Sequence, residues 1–135
     1  MDTAPSTAKS ARKTARKTAR KTALGTYGEA FAARRLVERG MVLLDRNWRC
    51  ELGEIDLVLR DGKVLVVCEV KTRSSLAFGS PIEAVREAKA QRLRLLAARW
   101  IDDHGISPDD VRLDLVGVLV PSSGQVQFEH VQGVG

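Results

Sequence analysis

Glu54, Asp56, Glu69 and Lys71 lie in two apolar runs that flank Asp61-Gly62. Asp-Gly between such runs is a strong hairpin signal, because a type I′ turn needs positive φ at both central residues. With those two residues as the loop, Arg60 faces Lys63, Val58 faces Leu65, Asp56 faces Val67 and Glu54 faces Glu69. Sides alternate along a strand. Ile55, Leu57, Leu59, Val64, Val66, Cys68 and Val70 therefore share one fully apolar face. The opposite face is apolar near the turn and charged at the far end, where Asp56 and Glu69 become diagonal neighbours, roughly 7–8 Å apart. Crowded carboxylates repel one another and hold their protons unless a cation joins them. Lys71 is one such cation. A hard divalent ion such as Mg²⁺, which prefers carboxylate oxygens, is another. The competing reading is a solvated sheet edge with a Glu-Lys pair.

The elements that position this cluster follow from periodicity. An amphipathic helix is predicted from Leu24 to Arg39, with Gly40 as its C-cap glycine. Glu29 lies at the edge of its apolar arc. It either reaches the acidic cluster or closes a capping box with Thr26. Met41 to Cys50 reads as a strand. A turn at Leu52-Gly53 would set Arg49 opposite Asp56, with Asn47 on the same face and Trp48 and Cys50 toward the core. Arg49 then holds an incoming phosphate or neutralises Asp56. Thr72 to Gly79 is a polar loop carrying Arg73. Ser80-Pro81-Ile82-Glu83 opens a second helix with a Ser cap and Pro at the first helical position. Ile82, Val85, Leu93, Leu96 and Trp100 recur at helical spacing as its core side, and Arg86, Lys89, Arg92, Arg94 and Arg99 read as a solvated surface. Val111 to Val120 is an interior strand in which Arg112 and Asp114 share a face and suit an ion pair. Gln125 to Val131 forms the last strand. Neither His104 nor His130 has metal-ligand spacing. The order is helix, three strands, helix, two strands, an α/β arrangement with a mixed sheet flanked by helices.

The charge is unevenly distributed. The chain has 135 residues and a net charge of +5. Residues 1–23 hold seven basic residues against one acid, a net of +6, so residues 24–135 carry −1. Residues 11–23 repeat Ala-Arg-Lys-Thr three times before Ala23. Like charges at four-residue spacing and repeated Thr disfavour a helix, so a disordered basic arm is expected. Its lysines, Lys13, Lys17 and Lys21 among them, suit either a sequence-independent grip on phosphates or a merely solubilising extension. Residues 24–135 are expected to form a single domain with a core sufficient to fold without disulfide or structural metal. Cys50 and Cys68 sit at apolar strand positions without a C-x-x-C motif, so reduced thiols in a reducing cytoplasm are expected. No apolar run is long enough to span a bilayer, and no membrane insertion is expected.

Gly28-Glu29, Asn47-Trp48-Arg49, Gly53-Glu54-Ile55-Asp56-Leu57, Glu69-Val70-Lys71-Thr72-Arg73, Phe78-Gly79 and Arg112-Leu113-Asp114 closely resemble the bacterial YraN-like proteins, an uncharacterised family. The likeness runs from about Leu24 to Phe128 and leaves out the basic arm. That family in turn resembles the PD-(D/E)XK nucleases, whose restriction-endonuclease-like core runs α-β-β-β-α-β. The resemblance implies that Asp56 and Glu69 are acidic metal ligands, together with the Val70 carbonyl, and that Lys71 is the lysine closing the motif. It implies that Glu29 is the helix-borne acid of resolvase-like members. The superfamily's proline is replaced by Ile55, which changes no ligand. The activity so implied is that of a Mg²⁺- or Mn²⁺-dependent endonuclease acting on DNA, branched or junction DNA included, with Arg49 and Arg73 facing phosphate. A homodimer would suit cleavage of two strands. Two other readings stay open: a nucleic-acid-binding module without catalysis, and a protein-interaction scaffold that uses the basic arm.

Overall fold

The structure, a computed structural model, describes residues 23–75 and 87–134. Residues 1–22 of the arm, Phe78 and the Ser80-Pro81 helix start lie outside the described residues, and Ala23 begins the first helix. The described elements are helix α1 (23–38), strands β1 (Val42–Cys50), β2 (Gly53–Asp61) and β3 (Val64–Arg73), helix α2 (Glu87–His104), and strands β4 (Asp110–Leu119) and β5 (Gln127–Val131). They form a five-stranded sheet in the order β1-β2-β3-β4-β5. All pairings are antiparallel except β3 with β4, which α2 connects as a crossover. This is the expected αβββαββ mixed sheet. Among the described residues no helix is long and apolar enough to cross a membrane.

Both faces of the sheet are covered, which is why the middle strands read as nearly continuous apolar runs. Under α1, Ala32, Ala33 and Leu36 pack on Leu57, Leu59, Val66, Cys68, Val116 and Val118. Under α2, Ala90, Leu93, Leu96, Ala97 and Trp100 pack on Ile55, Val58, Leu65, Val67 and Leu113. Helix α1 stops at Gly40, whose φ is 101°. Gly40 N–H donates to the Val37 carbonyl at 2.9 Å and Met41 N–H to the Leu36 carbonyl at 3.2 Å. These are the paired bonds of a Schellman stop, with Leu36 and Met41 buried in the same core cluster. The other helix is tied to β1 by the Trp100 indole N–H, which donates to Asp45 Oδ2 at 2.9 Å.

The hairpin differs from expectation by one position. Asp61 pairs with Val64 and Arg60 with Leu65, so the loop is Gly62-Lys63. Gly62 has φ 62° and Lys63 has no positive φ. A turn with positive φ only at its first central residue follows the type II′ pattern, for which glycine is needed there alone. Each residue of β2 thus meets a partner two places further along β3 than expected, which leaves every residue on its expected side. The exception is Ile55. The β2–β3 ladder ends at Leu57–Cys68, whereas β2 stays paired with β1 as far as Gly53. Where β2 parts from β3 the alternation breaks, and Ile55 packs under α2 instead of beside Leu57.

The β1–β2 turn also shifts, from Leu52-Gly53 to Glu51-Leu52, with Cys50 opposite Gly53. Arg49 consequently lies opposite Glu54 and not Asp56.

Helix α1 packs tightly against β3 at Gly28. A Cβ there would collide with Thr72 Oγ1 and meet Thr72 Cβ and Cγ2 at 2.8 Å. Rotating Thr72 cannot clear its own Cβ, so the helix would have to lift. Gly28→Ala is expected to destabilise the fold by about 1–3 kcal/mol through overpacking. Urea unfolding checks this, and Thr72→Ala in the same background should recover part of the loss, as for two residues in contact.

Candidate active site

The acidic cluster forms where β2 and β3 separate. Asp56 has no ladder partner on β3, and its side chain takes over that role: the Val70 N–H donates to Asp56 Oδ2 at 2.8 Å. Glu54 stands two residues earlier on β2. Helix α1, seated closely at Gly28, presents Glu29 from above. Carboxylate oxygens of Glu29, Glu54 and Asp56 lie within 4.8 Å of one another. Asn47 on β1 holds a left-handed φ of 52°, a conformation that asparagine tolerates better than most residues. Its side chain lies close enough to Glu29 to hold that carboxyl down against burial. The capping alternative for Glu29 fails, because the backbone is already helical at residue 23 and Thr26 lies inside the helix.

Glu69 and Asp56 line one cleft of about 240 Å³, with Glu54 beside them and Lys89, Arg92 and Leu96 of α2 as its far wall. Glu69 is buried, and Lys89 Nζ reaches its Oε1 at 2.8 Å. The grouping by distance is therefore Glu29, Glu54 and Asp56, with Glu69 engaged by Lys89. It differs from the expected set of Asp56, Glu69, Val70 and Glu29 by bringing in Glu54 and leaving Glu69 outside the group. Lys71 is half-buried on β3 within electrostatic reach of Glu69 and Asp56.

The protonation equilibria reflect this crowding. Burial, then the neighbouring Glu69, pushes the Asp56 carboxyl up to about 7, although the Val70 N–H bond pulls the other way. Burial also raises Glu29, offset in part by Asn47 and reinforced by Glu54. Lys71 is lowered by burial and by Lys89, while Glu69 and Asp56 oppose the shift. An all-oxygen donor set whose members resist ionising together suits a hard divalent cation, which relieves the repulsion and matches the ligand type.

The expected phosphate-facing residues are placed less uniformly. Arg49 is bonded to Glu54, Nε to Oε2 at 2.9 Å, so it steadies a candidate ligand. Arg73 is half-buried at the end of β3, on the Lys71 side. Lys13, Lys17 and Lys21 lie outside the described residues. The expected Arg112–Asp114 pair is present, at 2.8 Å and 2.9 Å, and forms part of a buried network away from this cleft. Lys89 is the cleft residue that sequence patterning does not single out. Of the lysines and arginines of α2, Lys89, Arg92, Arg94 and Arg99, only the rotation of the helix brings it and Arg92 to the cleft.

Comparison with known proteins agrees with this architecture. The profile of the uncharacterised protein family UPF0102 matches residues 28–118. A UPF0102 protein of a Nocardioides species is 63% identical over 112 residues, spanning 83% of this chain and 90% of the relative. One from Streptomyces coelicolor is 60% identical over 113 residues, 82% of this chain and 87% of the relative. Another, from Kineococcus radiotolerans, is 56% identical over 112 residues, 82% and 92% of the two chains. With identity this high across nearly the whole α/β domain, the chain belongs to the UPF0102 (YraN-like) family, within the restriction-endonuclease-like nuclease superfamily.

Proposed function

We propose that this protein is a divalent-metal-dependent endonuclease that hydrolyses DNA phosphodiester bonds, with branched or junction DNA among its substrates. The observation that supports it most is the convergence of Glu29, Glu54 and Asp56 within 4.8 Å, the last two lining a cleft with Glu69. Asp56, Glu29 and Glu54 would hold Mg²⁺ or Mn²⁺, with Glu69 and the Val70 carbonyl available to complete the set. Bound there, such an ion would supply charge neutralisation at the phosphate and a more acidic water. The chain's own residues do the rest. The Val70 N–H fixes the Asp56 carboxylate, and Arg49 fixes Glu54. Lys71 is a preorganised donor for charge growing on the phosphate oxygens, in a partly desolvated setting where such a donor counts for most. Arg73 and the basic arm offset the repulsion between an acidic cleft and the DNA backbone.

Incubation with single-stranded, duplex, flapped and four-way DNA in Mg²⁺ or Mn²⁺ tests this proposal. Cleavage that Asp56→Ala abolishes is the expected result. No cleavage of any substrate, or equal cleavage by the variant, would reject it. The Lys89–Glu69 pair favours a second reading, a binding module in which a lysine has replaced the ion for good. In that case nucleic-acid binding needs no divalent ion and survives Glu69→Ala. The scaffold reading would instead show protein binding that disappears when residues 1–23 are deleted.

A further inference from the structure

We infer that Lys89 is an exchangeable stand-in for the metal: its ammonium holds Glu69 while the ion is absent and gives Glu69 up when the ion arrives. The inference rests on the metal-dependent reading above and assigns a positioning role to a residue outside the strands. The two partners of the pair are unequal. The Lys89 side chain is 36% exposed and that of Glu69 10%. Releasing Lys89 costs little, because its ammonium re-enters water from a long flexible stem. Releasing Glu69 without a replacement would strand a buried carboxylate beside Asp56, an expensive outcome. Lys89 therefore leaves only when another cation takes over Glu69.

The surroundings supply that cation's other ligands. Asp56 lines the same cleft as Glu69 and Lys89, and Glu29 and Glu54 lie within reach of Asp56. The exchange makes lysine and ion compete for one carboxylate. By reciprocity of coupled equilibria, removing the lysine's charge must strengthen ion binding.

Isothermal titration of Mn²⁺ alone into the full chain at pH 8 tests this. Lys89→Met keeps the stem and removes the charge, and is expected to bind Mn²⁺ roughly five- to fiftyfold more tightly than wild type. Lys89→Arg keeps the charge and should stay near the wild-type affinity, which a purely structural role of the stem does not predict. Circular dichroism confirms that both variants are folded. Wild-type binding with equal or weaker binding by a folded Lys89→Met overturns the stand-in role and leaves the metal reading intact. Absence of Mn²⁺ binding in both proteins overturns the two together.

Discussion

Asp56→Asn is expected to make the metal-free protein more stable at pH 8 while abolishing its binding of Mn²⁺. Burial and Glu69 raise the Asp56 carboxyl from 3.8 to about 7. A raised acid binds more protons in the folded than in the unfolded state, so its contribution is fully present below about 4 and is lost as pH rises through about 7. At about 1.4 kcal/mol per unit, at most about 4 kcal/mol is withheld from the wild type at pH 8. Asparagine keeps an oxygen for the Val70 N–H and carries no charge. The expected gain is about 2 kcal/mol at pH 8 and much less at pH 5. Glu29, raised by burial, acts in the same direction and is untouched by the substitution. Thermal unfolding at both pH values, with and without Mn²⁺, checks both halves. Mn²⁺ should raise the wild-type Tm by mass action and leave that of Asp56→Asn unmoved. DNA cleavage should fall at least about 100-fold, more than loss of an outer-shell partner costs a metal site. An asparagine variant equally destabilised at pH 5 and pH 8 would mean that Asp56 is not under electrostatic strain.

Which residues of β2 and β3 share a side is largely legible in the sequence, because side follows from period-two alternation. The loop lies one residue from where the sequence puts it: Asp61-Gly62 satisfies a type I′ turn on paper, but Asp61 instead ends the strand and bonds to Arg112. A slip of one loop position moves each partner by two and preserves the face, so Asp56 and Glu69 line one cleft, with Lys71 outside its lining. The position of Ile55 depends on something no local pattern encodes, the separation of β2 from β3 on the N-terminal side of Leu57. Ile55 turns under α2 there, while Glu54 groups with Glu29 and Asp56. The Thr26-Glu29 capping box fails for a related reason. The motif requires Thr26 outside the helix, and the helix extends back past it. Lys89 is illegible because its partner lies on another element, twenty residues away in sequence.

The aspartate of β4 should answer to pH with the opposite sign, and its loss should be the costliest of these substitutions. Asp114 is fully buried. It accepts two bonds from Arg112 at 2.8 and 2.9 Å, one from His130 Nε2 at 2.8 Å and one from the Gly133 N–H at 3.1 Å. Arg112 also reaches Asp61 at 3.0 Å, so the network joins β4 to β2 and to the chain end beyond β5. Burial alone would raise this carboxyl, but the bonds from Arg112, His130 and Gly133 outweigh it and hold it below its ordinary value. A lowered acid stabilises the fold above about pH 4, and the contribution is lost as pH falls through its folded value. Asp114→Ala leaves Arg112 with Asp61 alone and strands two donors, an expected loss of about 3–5 kcal/mol. Replacing both partners, Arg112→Met with Asp114→Leu, should cost less, because no charge is left behind. Urea titrations of the metal-free protein across pH separate the two aspartates. Wild-type stability should peak on the acid side of neutrality, between the fall caused by Asp114 below about 4 and the fall caused by Asp56 toward 7. Asp114→Ala should flatten the acid limb and Asp56→Asn the alkaline one, each leaving the other limb in place.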